Sequence, residues 1–214
     1  MSEETEEFPE QEEQEQAQSH TSWGRFALLT VPALAGAGAL LLGAANGAMA
    51  VSFAVSGQQF KISADEMRGD GVAIYGSLDE DVRENVRPVS VAAIEDAEID
   101  NLCQSVLTEF PILGQVSLQL SAGTEGSPVE SSDLFIDMTQ MSGDTEFSEL
   151  EIGRDASTLD KGPEGAQGMQ DLFGMQGDSI TVNDLEQTAW AANAGTFRLS
   201  GLDLNVERGD SECF

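Results

Sequence analysis

Val116-Ser117-Leu118-Gln119-Leu120 alternates apolar and polar side chains one for one, and Leu134, Ile136 and Met138 repeat that spacing. Val51, Phe53 and Val55 do so again before Gly57. A period of two places successive side chains on opposite faces of an extended chain, so each run reads as a strand with one buried face. Thr181, Thr188 and Thr196 add β-branched residues further on, and Gly, Asp and Asn clusters punctuate the runs. Long amphipathic helical windows are missing, the one short candidate being Met169 to Met175. Residues 51–214 are therefore expected to form an all-β domain: a sandwich, a barrel or an irregular β-solenoid.

A second pattern interrupts the first. An apolar residue, two polar or small residues and then Leu occur at Ile99–Leu102, Phe147–Leu150, Val182–Leu185 and Leu199–Leu202. In a flat strand a step of three moves a side chain to the other face. Two apolar ends three apart thus imply a bulge, a corner or a strand buried on both faces. The copies are spaced too irregularly for a strict repeat. Residues 78–88, with Asp79-Glu80-Asp81, and 153–177, rich in Gly, Asp and Gln, read as long loops.

The chain carries 39 acidic residues against 9 basic ones, a net charge of −30. Only Lys61 and Lys161 are lysines. Such a surface repels phosphate backbones, so no nucleic-acid partner is expected. The acids are spread along the chain, which suits a salt-adapted surface more than one cation-binding loop. Calcium is nevertheless the one cofactor left to consider, with Asp79, Asp81, Asp96 and Asp100 as candidate oxygen ligands. No D-x-[DN]-x-[DN]-G loop supports it.

Ahead of the β domain, residues 1–22 form a Glu/Gln-rich tail expected to be disordered. Residues 26–45, within a segment spanning 23–50, are apolar, uncharged and long enough to cross a bilayer as one helix. The segment ends in Ala48-Met49-Ala50, the small-residue spacing a signal peptidase accepts. It reads either as a signal peptide cut after Ala50 or as an uncleaved membrane anchor. Both readings place the β domain extracytoplasmic, because Arg25 is the one cation flanking the run and precedes it.

Export bears on the two cysteines, Cys103 and Cys213. An even count in an oxidising compartment favours a disulfide, against two free thiols or a metal pair. The single histidine, His20, precedes the apolar run. A Ser-His-Asp or Cys-His apparatus, or a His-ligated metal, is thereby excluded from the exported domain. Carboxylate-only catalysis stays conceivable, though with so many acids no pair stands out.

Several stretches carry a family resemblance: Trp23-Gly-Arg-Phe-Ala27, Val51-Ser-Phe-Ala-Val-Ser-Gly-Gln-Gln-Phe-Lys61, Leu102-Cys-Gln-Ser-Val106, Pro111-Ile-Leu-Gly114, Gln187-Thr-Ala-Trp190, Gly195-Thr-Phe-Arg-Leu-Ser-Gly-Leu202 and Glu212-Cys-Phe214. Over residues 22–214 the chain resembles a family of actinobacterial exported proteins of unknown function, some of which carry the automatic label cholesterol esterase. The resemblance implies a compartment and a domain extent, and the missing histidine argues against the label. The expectation is a non-catalytic envelope protein that acts by binding or assembly. Its expected partners are the membrane through residues 26–45, other envelope proteins, and lipid or another apolar ligand. The rival readings are a lipid-ester hydrolase and a calcium-stabilised, adhesin-like domain.

Overall fold

Alternating runs of β-branched and aliphatic residues make long strands, and long strands twist enough to bring a sheet's edges together. A computed structural model of the chain describes residues 58–81, 83–124 and 126–214. The candidate cleavage site at Ala48 and Ala50, the apolar run 26–45 and the alternation at Val51, Phe53 and Val55 lie outside the described residues. Nine strands follow: β1 (Phe60–Glu80), β2 (Val86–Asp100), β3 (Leu102–Phe110), β4 (Gly114–Ala122), β5 (Val129–Ser148), β6 (Glu151–Asp155), β7 (Phe173–Asn193), β8 (Thr196–Arg198) and β9 (Asp203–Arg208). The helical content of the described residues is one 3₁₀ turn, Ala156–Thr158.

All pairings are antiparallel, in the order β6-β7-β5-β2-β1-β3-β4-β9, and β7 also pairs with β1. β1, β2, β5 and β7 thus close into a ring. Of the expected architectures the closed sheet stands, since a solenoid stacks parallel coils. β2 and β3 run along β1 in one unbroken register, Glu66 facing Asp100 and Ser63 facing Cys103. At Asn101, between them, the sheet forks: β5 continues beside β2, whereas β4 and β9 continue beside β3 as a flap. The fork is tight. Asn101 N–H donates to Gly123 O at 3.0 Å. A Cβ on Gly123, at φ +77°, would come within 2.8 Å of the Ile99 oxygen, so only glycine fits.

The three-residue steps are corners built on left-handed backbone. In each copy the residue before Leu has positive φ: Asn101, Glu149, Asp184 and Gly201. One left-handed residue restores the phase, so Ile99 with Leu102 and Val182 with Leu185 all face the same core. Asp133 before Leu134 and Asp171 before Leu172 use the same device. Phe147 packs against the core while Leu150 ends exposed at the β5–β6 turn, and Leu199 and Leu202 divide in the same way.

Two apolar clusters result. The larger fills the ring, with Ile94, Leu134, Ile180, Val182 and Leu185 at its centre. Each such side chain contributes about 1.5–3 kcal/mol on burial. The smaller lies on the outer face of β1 and β2, where Ala73, Tyr75, Val89, Val91 and Ala93 pack under Ala156, Leu159 and Ala166. β1 and β2 are buried on both faces there.

Several loop expectations are corrected. Residues 78–88 are strand up to Glu80 and again from Val86, because charged side chains at a strand end reach solvent without breaking the ladder. Within 153–177, strand β6, the 3₁₀ turn and the start of β7 replace much of the loop. Met169 to Met175 is turn and then strand: Asp171 takes a positive φ, and Phe173 begins the ladder with β6.

The last residues cross the polar face of the flap as a strap. Gly209 N–H donates to Gln115 O at 2.8 Å. Ser117 Oγ donates to Gly209 O and accepts from Ser211 N–H, each at 2.9 Å. Cys213 N–H donates to Ser105 Oγ at 3.0 Å. Cys103 and Cys213 form the disulfide, with Cα atoms 5.9 Å apart. Ser105 and Ser117 are buried beneath the strap with their hydroxyls satisfied.

Candidate functional site

Leu118 is the point where the opening alternation fails as a guide to burial. Leu134, Ile136 and Met138 are buried as their period requires, but Leu118 is 41% exposed while its neighbour Ser117 is covered by the strap. The period assigns faces correctly. It does not say what covers them.

The face that Leu118 occupies leads into an apolar cleft of about 340 Å³. Its walls come from the four ring strands, from the flap and from the segment after β7. β1 supplies Phe60 and Ile62, β2 and β3 supply Ile99, Leu102 and Gln104, and β4 supplies Leu120. Leu134 and Ile136 of β5 and Leu185 of β7 line it from the ring, and Phe197 and Leu199 from the segment after β7. Ala192 and Ala194, both exposed, border its solvent side. The fork creates this cleft: where β4 and β9 diverge from β5, the ring core loses its cover on one side.

The polar groups in the cleft are amides, Gln104, Gln187 and Asn193. Gln187 is 2% exposed, and its Nε2 contacts Met138 Sδ at 3.0 Å, a weak acceptor. The side-chain amide of Gln104 makes no hydrogen bond among the described residues. An apolar trough with a few amides can hold an elongated hydrocarbon and orient one carbonyl or hydroxyl. It contains no carboxylate, thiol or hydroxyl among its lining residues.

The metal candidates do not converge. Asp81 closes the β1–β2 turn: its carboxylate accepts from Arg83 N–H at 2.8 Å, from Asn85 N–H at 3.1 Å and from Asn85 Nδ2, and pairs with Arg87. The Asn85 donors above all, then Arg83 and Arg87, hold its carboxyl down to about 2. Arg87 is in turn stacked on Trp190, 4.0 Å from the ring centroid. Asp100 pairs with Arg68 at 3.0 Å. Asp96 faces Asp70 across the strands in a polar trough of about 530 Å³ that Arg68, Glu98, Glu130 and Thr181 also line. Asp79 lies by Asp137, whose carboxyl is pushed up to about 6 by burial and then by the Asp79 charge. Among the described residues no group of three or more His, Cys, Asp or Glu is arranged to hold a metal ion.

The two cysteines are the one predicted pair that the fold brings together. The cleft itself has a sequence signal that alternation overlooks. Phe110 to Thr124 and Gln187 to Phe197 are the two longest uncharged runs among the described residues, and both border it.

No curated protein and no solved structure matches the chain. A sequence profile does: that of a family of unknown function, DUF6230, matches residues 56–214, which contain every strand described above. The chain belongs to that family.

Proposed function

We propose that this is a non-catalytic, extracytoplasmic envelope protein that binds an elongated apolar ligand, such as a lipid acyl chain, in the cleft between ring and flap. The observation that carries the reading is the cleft's composition. Aliphatic and aromatic side chains from seven strands surround a solvent-open trough whose polar side chains, among the described residues, are all amides. Export is supported by the disulfide, since such bonds persist outside the reducing cytoplasm. The apolar run 26–45 supports export as well, whether cleaved after Ala50 or retained as an anchor. A binding rather than hydrolytic role accords with the position of His20, the one histidine, far from the β domain in sequence.

The test is titration with a fluorescent fatty acid, comparing the natural chain with Ala194→Trp. Ala194 is exposed at the cleft mouth and outside the strands, so the substitution fills the mouth without disturbing the core. Saturable binding that weakens at least about tenfold in the variant is expected, equivalent to roughly 1.4 kcal/mol. Absence of binding, or equal binding by both proteins, rejects the cleft as a ligand site.

A further inference from the structure

Period two and the unbroken registers of β3, β4 and β9 put their even-numbered residues on the cleft side. Val106, Leu118 and Val206 form one row there, and Gln104, Leu120 and Leu204 the next. No even-numbered position of these three strands is acidic, in a chain with 39 carboxylates. The acids of the flap strands, Glu109, Asp203 and Glu207, are all odd-numbered and share the other face with the strap. The one charge on the cleft face is basic: Arg208, aligned with Val116, makes no ion pair among the described residues.

Nothing among the described residues covers the apolar face. Leu118, Leu204 and Val206 are exposed, and beyond them Phe110 ends β3 and Pro111, Ile112 and Leu113 form the β3–β4 turn, with Ile112 95% exposed. A patch of this kind marks an interaction surface. Its chemistry selects the partner. A protein rim would be met by polar and charged groups. Here an uncharged apolar sheet face ends in four consecutive apolar residues, with a single guanidinium beside them. That pattern matches a bilayer interface, where side chains enter the hydrocarbon and arginine meets a phosphate. Sequence adds reach: residues 46–57 are all that separate the apolar run from the described residues, at most about 40 Å of extended chain.

We infer that the β3–β4–β9 flap docks on a zwitterionic phospholipid surface through its acid-free face, the turn at Ile112 inserting and Arg208 facing the headgroup phosphates. This rests on the cleft as a lipid site and specifies how it fills. The acid-free face is continuous with the cleft wall through Leu120 and Leu102, so a lipid leaves the bilayer along it without crossing the charged surface.

Phe53–Phe214 is a separate compact unit that holds both core clusters and both cysteines, so it can be tested without the preceding residues. Sedimentation with phosphatidylcholine vesicles is the measurement, for this unit and for Ile112→Asp, with Arg208→Glu as a second variant. Ile112 is almost fully exposed, so its replacement leaves the fold intact. Binding should persist in about 1 M salt, where charge attraction is screened. It should weaken at least about tenfold in Ile112→Asp, the loss of one buried aliphatic side chain. Fatty-acid binding from solution should be unchanged in that variant. No vesicle binding, or equal binding by the variant, overturns the docking while the solution titration still reports on the cleft. A dimer in ultracentrifugation that Ile112→Asp dissociates, without vesicle binding, also overturns it and assigns the face to a second copy.

Discussion

Lys61 on β1 holds Phe214 twice: its Nζ donates to the Phe214 backbone oxygen at 2.8 Å and stands 5.1 Å from the centre of the phenyl ring. It also pairs with Glu212 at 2.8 Å. These contacts seat the strap across three strands, from Ser117 on β4 over Ser105 on β3 to β1. Each surface pair contributes little by itself. The covalent bond next to them does most of the holding.

Replacing Cys103 and Cys213 together by Ser should therefore destabilise the domain by roughly 4–5 kcal/mol, the chain-entropy value for a loop closed over 110 residues. Urea unfolding with and without reductant measures it. Intact mass under the two conditions should differ by two hydrogens. An unchanged mass would remove the strap's covalent anchor.

The corners make a backbone prediction. Asp184 is exposed and has φ +49°. Asp184→Gly should be close to neutral, because glycine accepts that conformation freely. Asp184→Val should cost about 1–2 kcal/mol, since a β-branched residue resists the left-handed region. Equal stability of the two variants in thermal melts would show that the corner does not need its left-handed residue.

Asp137 sets a pH dependence of unusual sign for a carboxylate. Its folded value of about 6 lies above its ordinary one, with burial the main cause. The folded state thus favours the proton. Stability from this group is fully present below about 4 and is lost as pH rises through about 6. Asp137→Asn should raise the melting temperature at pH 7 and leave it nearly unchanged at pH 4. A variant that melts lower than the parent at both pH values would contradict this.

Asp81 acts in the opposite direction. Its carboxyl is held below the ordinary range, so its contribution is present above about 4 and fades as pH falls towards about 2. Asp81→Ala should lower the melting temperature at pH 7, with the gap to the parent closing near pH 2. Calcium should not restore the variant, because the lost partners are Asn85, Arg83 and Arg87 rather than a cation.

Strand identity was legible because it is a local property. The alternations at 116–120 and 134–138 are both strands, and the apolar-x-x-Leu steps marked real corners. Closure was not legible. Phe60 pairs with Ala189, and nothing near either residue announces the other. The same gap explains Ser105 and Ser117. Small polar residues between apolar ones read as solvent-facing, and only a segment about a hundred residues away buries them. The cleft was hidden because its walls are the same aliphatic residues that make a solid core elsewhere. The acidic candidates were chosen by residue type alone. Residue type does not fix surroundings: Asp81 closes a turn, Asp100 pairs with Arg68, Asp96 faces Asp70 and Asp79 lies by Asp137.

The pairing of β1 with β7 also governs when this fold can exist at all. The first described strand waits for a partner that begins at Phe173, and neither β2 nor β5 can complete the ring without it. Pairings so distant along the chain form slowly, in milliseconds to seconds for β-rich domains. A polypeptide emerging from the ribosome would therefore stay unclosed until nearly all of it had been made. Closure of the ring, and with it the strap that carries Cys213 across to Cys103, is thus a late event in the life of the chain.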